Sequence, residues 1–152
     1  MPDAAQMQNV IETPLSLGSR ANTIRRRIRL LLAEDDGPFR DMLVWAFEDA
    51  GCEVVAVGNG NDLRELLVSS LPSRATVQPF DIVVTDVRMP GWTGLHAIES
   101  LSGAPELPPI VVMTAFGDDE TKERAKTAGA IAVLDKPIDP AVLCALVHQV
   151  AV

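Results

Sequence analysis

Cysteine is scarce in this chain of 152 residues, and the two present, Cys52 and Cys144, have neither CxxC spacing nor any clustering with His96 or His148. That absence excludes zinc sites, dithiol redox pairs and a disulfide framework, and leaves both cysteines as small apolar residues for the interior. Long apolar runs are missing too. The longest uncharged stretch, at the C-terminus, falls short of the roughly 20 residues that span a bilayer, and no secretory hydrophobic region follows Met1. The expectation is a soluble, cytoplasmic protein without a membrane partner. Basic residues are few outside the N-terminus: residues 1–29 carry a balance of +3, and the remainder carries −11 of the total of −8. A body so acidic cannot present the cationic face that a nucleic-acid groove needs. The Arg25-Arg26-Arg27 run reads as a solvated tether in front of a strand.

What is present is an ordinary globular composition, 47% hydrophobic and 22% charged, on a chain of single-domain length. Residues 1–27 lack sustained periodicity and contain Pro, Gly and Ser, which predicts a flexible N-terminal extension before a folded unit at 28–152. Short apolar runs at 28–33, 53–57, 81–85, 110–113 and 131–134 predict strands buried on both faces. Between them lie helical patterns. Phe39, Met42, Leu43, Ala46 and Phe47 recur at helical spacing, with Pro38 near the start and Gly51 past the end of a helix over 38–50. Leu63, Leu66 and Leu67 mark a second helix, and 94–101, 119–128 and 140–150 follow, the fourth closed by Gly129 and the fifth capped by Asp139. Five strands alternating with five helices predict an α/β fold, a doubly wound five-stranded parallel sheet covered on both sides.

Such sheets place their sites outside the carboxyl ends of the strands. The residues at or just past those ends are Asp35 and Asp36, then Asp86, Thr114 and Lys136. Carboxylates meeting on one edge repel by about 1 to 4 kcal/mol per pair and need a cation to coexist ionised. Hard oxygen ligands suit Mg²⁺. A carboxylate nucleophile, a divalent metal, a hydroxyl and a lysine are the parts needed for phosphoryl transfer to aspartate.

The segments LLAEDD, DVRMPGWTG, VVMTAFGD and LDKPID resemble the receiver domain of bacterial two-component response regulators, over nearly everything outside the N-terminal extension. The resemblance implies a flavodoxin-like (βα)5 fold that signals by conformational change rather than acting as an enzyme. It implies that Asp86 accepts a phosphoryl group from a sensor histidine kinase or phosphotransfer protein. Mg²⁺ would be held by Asp35, Asp36, Asp86 and the backbone carbonyl of Arg88. Thr114 would bond a phosphoryl oxygen, Lys136 would pair with the phosphate, and the Lys136–Pro137 bond would be cis.

One departure from the family stands out. Val133 occupies the place, three residues before the lysine, where receivers usually carry Tyr or Phe, so output is expected to depend on the Thr114 loop and Phe116. Two other readings compete: a phosphorylation-independent interaction module of the same fold, and a Mg²⁺-dependent aspartyl-phosphate phosphohydrolase. The second is disfavoured by order, because here the acidic pair precedes the nucleophile. Finally, residues 141–152 have no charged side chain. Val142, Leu143, Leu146, Val147 and Val150 are assigned to the core, while Ala141, Cys144, Ala145 and Ala151-Val152 extend the apolar surface. The last helix, with the strand before it, is therefore expected to form a contact face for a homodimer or an output partner.

Overall fold

The apolar runs form five parallel strands in the computed structural model, which describes residues 26–74, 76–115 and 117–151. Strands β1 (Arg29–Ala33), β2 (Glu53–Val57), β3 (Ile82–Asp86), β4 (Ile110–Thr114) and β5 (Ala132–Asp135) alternate with helices α1 (Gly37–Asp49), α2 (Gly60–Ser70), α3 (Gly94–Leu101), α4 (Asp119–Thr127) and α5 (Pro140–Ala151). The strand order is β2-β1-β3-β4-β5. This is the expected doubly wound sheet, with its switch point between β1 and β3. The expected N-terminal extension falls, up to residue 25, outside the described residues, as does Phe116.

Because side chains alternate along a strand, each central strand feeds two cores. Leu31, Ala33, Val83 and Val112 pack with Leu63, Leu67, Leu95, Ile98 and Ala125 from α2, α3 and α4. Leu30, Leu32, Ile82, Val84, Val111 and Met113 pack with Leu43 and Phe47 of α1 and Leu143 and Val147 of α5. Burial on both sides is why β1, β3 and β4 read as continuous apolar runs rather than alternating ones.

The helix ends follow local chemistry. Asn59, Thr93 and Asp118 cap α2, α3 and α4 by accepting from the backbone N–H three residues on. Asp139 caps α5 from two residues away, its Oδ1 accepting from Ala141 N at 2.9 Å. Gly129, at φ 110°, closes the turn after α4.

The core face of α5 is the expected one at Leu143, Leu146, Val147 and Val150, and departs from it at Val142. Leu143 and Val147 are fully buried, but Val142 is 58% exposed. Val142 lies about 100° around the helix from Leu143, and the inward direction is set by contact with α1. There, the Cys144 thiol approaches the Ala46 carbonyl at 3.7 Å, and the His148 ring nitrogens sit 2.8 Å from Cys144 O and 3.0 Å from Ala50 O.

Arg26 and Arg27, the described residues of the basic run before β1, are also not a free tether. Arg26 donates twice to Asp81, at 2.8 and 3.0 Å, and the Arg29 N–H donates to the same carboxylate at 2.7 Å. Arg27 donates to the carbonyls of Gly51 and Cys52 past the end of α1. Arg29 pairs with Glu53 and lies over the Phe80 ring, 4.7 Å from its centroid. Asp81 thus fastens the entry of the chain to the start of β3. Asp81→Ala leaves the Arg29 N–H without its acceptor and is expected to cost about 1 to 2 kcal/mol, read as a lower urea midpoint at unchanged slope. An unchanged midpoint would remove Asp81 from the stability of this edge.

Candidate functional site

At the opposite edge, the carboxyl ends of the strands bring together residues far apart in the chain. The ladder pairs Ala33 with Thr85, Asp86 with Met113, and Thr114 with Asp135. The last residues of β3 and β4, and the first residues past β1 and β5, therefore share one rim. Asp86 and Thr114 are buried there, at 6% and 3% exposure, and Glu34, directly after β1, is completely buried.

Lys136 spans the cluster. Its ammonium donates to Glu34 Oε1 at 2.8 Å and to Asp86 Oδ2 at 2.9 Å, and its backbone N–H donates to Thr114 O at 2.8 Å. The Lys136–Pro137 bond is cis. Burial works to lower the lysine pKa, but the hydrogen bonds to Glu34 and Asp86 and their charges outweigh it and hold the ammonium above its usual range. On Glu34 burial prevails and pushes the carboxyl up, against hydrogen bonds from Lys136 and from the Asp36 N–H.

Glu34, Asp35 and Asp86 each offer a carboxylate oxygen within 4.8 Å of the others. This corrects the expected pair. Asp36 is outside the group: it is the N-cap residue of α1, exposed, with extended backbone and no side-chain cap bond. Its carbonyl instead accepts from Arg40 N at 2.8 Å. The chain has already turned into the helix at Asp36, whereas Glu34 continues the strand, its N–H donating to Val57 O at 3.0 Å. The expected and observed ends of β1 coincide at Ala33; Glu34, the first residue past that end, faces the rim, although the sequence expectation passes over it for the two acids that follow. Three hard carboxylates against one ammonium form a donor set that fits Mg²⁺, which takes few protein ligands and keeps water.

Two glycines let the loop after β3 seat closely against its neighbours. A Cβ at Gly94 would lie 1.9 Å from Asp86 O and 2.6 Å from Thr85 Oγ1, and one at Gly60 would lie 1.7 Å from Trp92 O. The loop thus rests directly on the backbone of the strand that carries Asp86 and on the first turn of α2. Trp92 is held on this loop by its N–H to Asn61 Oδ1 at 3.3 Å, with Arg64 over its ring. Arg88, two residues past Asp86, directs its N–H toward Asp86 Oδ1 at 3.4 Å. Val133 is half-buried against the core shared with α2, α3 and α4. It offers an aliphatic contact where a ring was the family expectation.

Comparison with known proteins identifies the family. The model of the response regulator receiver domain family matches residues 30–148. The transcriptional regulatory protein PdtaR of Mycobacterium tuberculosis is 36% identical over 110 residues, 72% of this chain and 49% of PdtaR. The DNA-binding transcriptional regulator NtrC of Salmonella typhimurium is 30% identical over 118 residues, 78% of this chain and 24% of NtrC. The chain thus spans half or less of the length of these regulators. The chemotaxis response regulator CheY4 of Vibrio cholerae superposes with a TM-score of 0.67 at 26% identity, covering 82% of this chain and 99% of that one. Among the described residues no helix is long and apolar enough to cross a membrane. The five-stranded sheet, the acidic rim with its lysine and the family match together place this chain in the response regulator receiver domain family of two-component signalling.

Proposed function

We propose that Asp86 accepts a phosphoryl group from a sensor histidine kinase or phosphotransfer protein, and that the phosphorylated rim changes the surface the domain offers to its next partner. The observation that carries this reading is the convergence of Glu34, Asp35 and Asp86 around the Lys136 ammonium. Glu34, Asp35, Asp86 and the Arg88 backbone carbonyl are the groups that would hold Mg²⁺. When bound, the metal supplies positive charge against the oxygens of the phosphoryl group. Asp86 is the nucleophile: a carboxylate oxygen forms the bond to phosphorus as the phosphorus–nitrogen bond of the donor histidine breaks, and the imidazole leaves with the electron pair. Lys136 can pair with the transferred group from its place against Asp86. The Thr114 hydroxyl, at the end of the neighbouring strand, is the donor for a phosphoryl oxygen.

Incubation with acetyl phosphate and Mg²⁺, borohydride trapping and peptide mass spectrometry is expected to place a single label on Asp86, and chelation of the metal is expected to abolish it. A label on Glu34 or Asp35, or an undiminished label without metal, would overturn the assignment.

For the partner face, Ala141, Val142 and Ala145 of α5 are exposed, on a helix whose described residues carry no Asp, Glu, Lys or Arg. Ala145→Glu is expected to weaken self-association or binding of an output partner while labelling of Asp86 proceeds at the wild-type rate. Sedimentation of phosphorylated and unphosphorylated protein checks the self-association arm; identical behaviour of the variant in both states would move the interface elsewhere.

A further inference from the structure

Lys136 has three N–H donors, and the carboxylates of Glu34 and Asp86, at 2.8 and 2.9 Å, account for two of them. The remaining neighbour is aromatic. Phe39, in the first turn of α1, has its ring beneath the ammonium, with Nζ 4.9 Å from the ring centroid. That lies inside the roughly 6 Å over which a ring face attracts a cation. Phe39 packs against the core shared by α1 and α5, which fixes the ring. Both residues also line an open cavity of ≈ 480 Å³ together with Asp36, Met42, Pro137 and Ile138, so the ring stands where the lysine would otherwise swing away from the rim.

We propose that Phe39 is a positioning residue for phosphoryl transfer, its ring face holding the Lys136 ammonium against Asp86 so that the charge is in place when the phosphoryl group arrives. A third carboxylate at this place would hold the lysine more tightly, but it would also repel the incoming phosphoryl oxygens and tie the lysine to a bond that must break. A ring attracts the cation with neither cost. The proposal rests on the phosphoacceptor role of Asp86, and its test separates the two.

In the full chain at saturating Mg²⁺, Phe39→Leu is expected to lower the initial rate of labelling by acetyl phosphate about five-fold, and Phe39→Tyr, which keeps the ring, to restore it within about two-fold. The chain has three lysines, Lys122, Lys126 and Lys136, so the Lys136 side-chain resonances are readily assigned by substitution. Its ε-methylene protons are expected upfield in the wild type and in Phe39→Tyr, and at the ordinary position in Phe39→Leu. A merely structural role for Phe39 would lower the unfolding temperature and leave the labelling rate of the folded variants unchanged. If Phe39→Leu fails to fold, Phe39→Met fills similar volume without a ring face and carries the same expectations. A wild type that labels while the ring-less variants label equally fast overturns the positioning role and leaves the phosphoacceptor reading standing. A folded wild type that takes no label overturns both.

Discussion

Asp35→Ala is expected to abolish Mg²⁺-dependent phosphorylation, with a loss of at least about 100-fold in labelling rate, while Asp36→Ala keeps the rate within about three-fold. The two carboxylates are neighbours in sequence, but only Asp35 belongs with Glu34 and Asp86 in the group whose oxygens approach within 4.8 Å. Removing a ligand from a site with so few protein donors removes a large share of its charge, and even the loss of supporting groups around a metal commonly costs 10 to 100-fold. Asp36 makes no side-chain cap bond, so its truncation changes stability by no more than about 0.5 kcal/mol. Metal titration followed by Trp92 emission in a Trp45→Phe background provides a second measure, since Trp92 sits on the loop that leaves Asp86. The expected result is a Mg²⁺ response retained in Asp36→Ala and lost in Asp35→Ala. The reverse pattern would show that the turn after β1 is read one residue out of register.

Gly94→Ala is expected to be strongly damaging to both stability and labelling. Its Cβ would enter within 1.9 Å of the Asp86 carbonyl oxygen and 2.6 Å of Thr85 Oγ1, and that hydroxyl already donates to the same carbonyl at 2.9 Å. Most of what the methyl meets is backbone of a fully buried strand, so little can yield. The start of α3 must lift away from β3, breaking the bond from Gly94 N to Val87 O at 2.9 Å. Overpacking of this kind costs about 3 kcal/mol, which for a domain of this size lowers the unfolding temperature by roughly 10 °C. The same displacement carries Asp86 with it, so labelling is expected to fall even below the unfolding transition. Gly103→Ala provides the contrast: at φ 90° it is strained, but its Cβ would meet nothing within 4 Å, and it lies away from the rim. Equal unfolding temperatures for Gly94→Ala and the wild type would mean that the loop after β3 is not seated on the strand.

The amino-acid sequence by itself determined the alternation of strands and helices, the parallel sheet and the placement of Asp86, Thr114 and Lys136 on one rim. Those depend on continuous apolar runs of strand length, on the 3.6-residue period of the helices and on where each run stops, all of which are local. The tertiary structure alone decided which of three consecutive acids faces inward. The apolar run ends legibly at Ala33, but which of the acids beyond it turns into the rim depends on Lys136, 102 positions away, reaching Glu34. It also decided that Val142 faces out, because the packing of α5 on α1 sets the helix rotation when apolar residues occupy more of the helix than one buried face needs. It gave Arg26 and Arg27 partners in Asp81 and in the carbonyls past α1, which no count of charge along the chain can reveal. And it set the Phe39 ring against the lysine: by spacing, Phe39 is one more residue of an amphipathic stripe, and only the reach of Lys136 from the end of β5 across the rim gives that ring a cation to face.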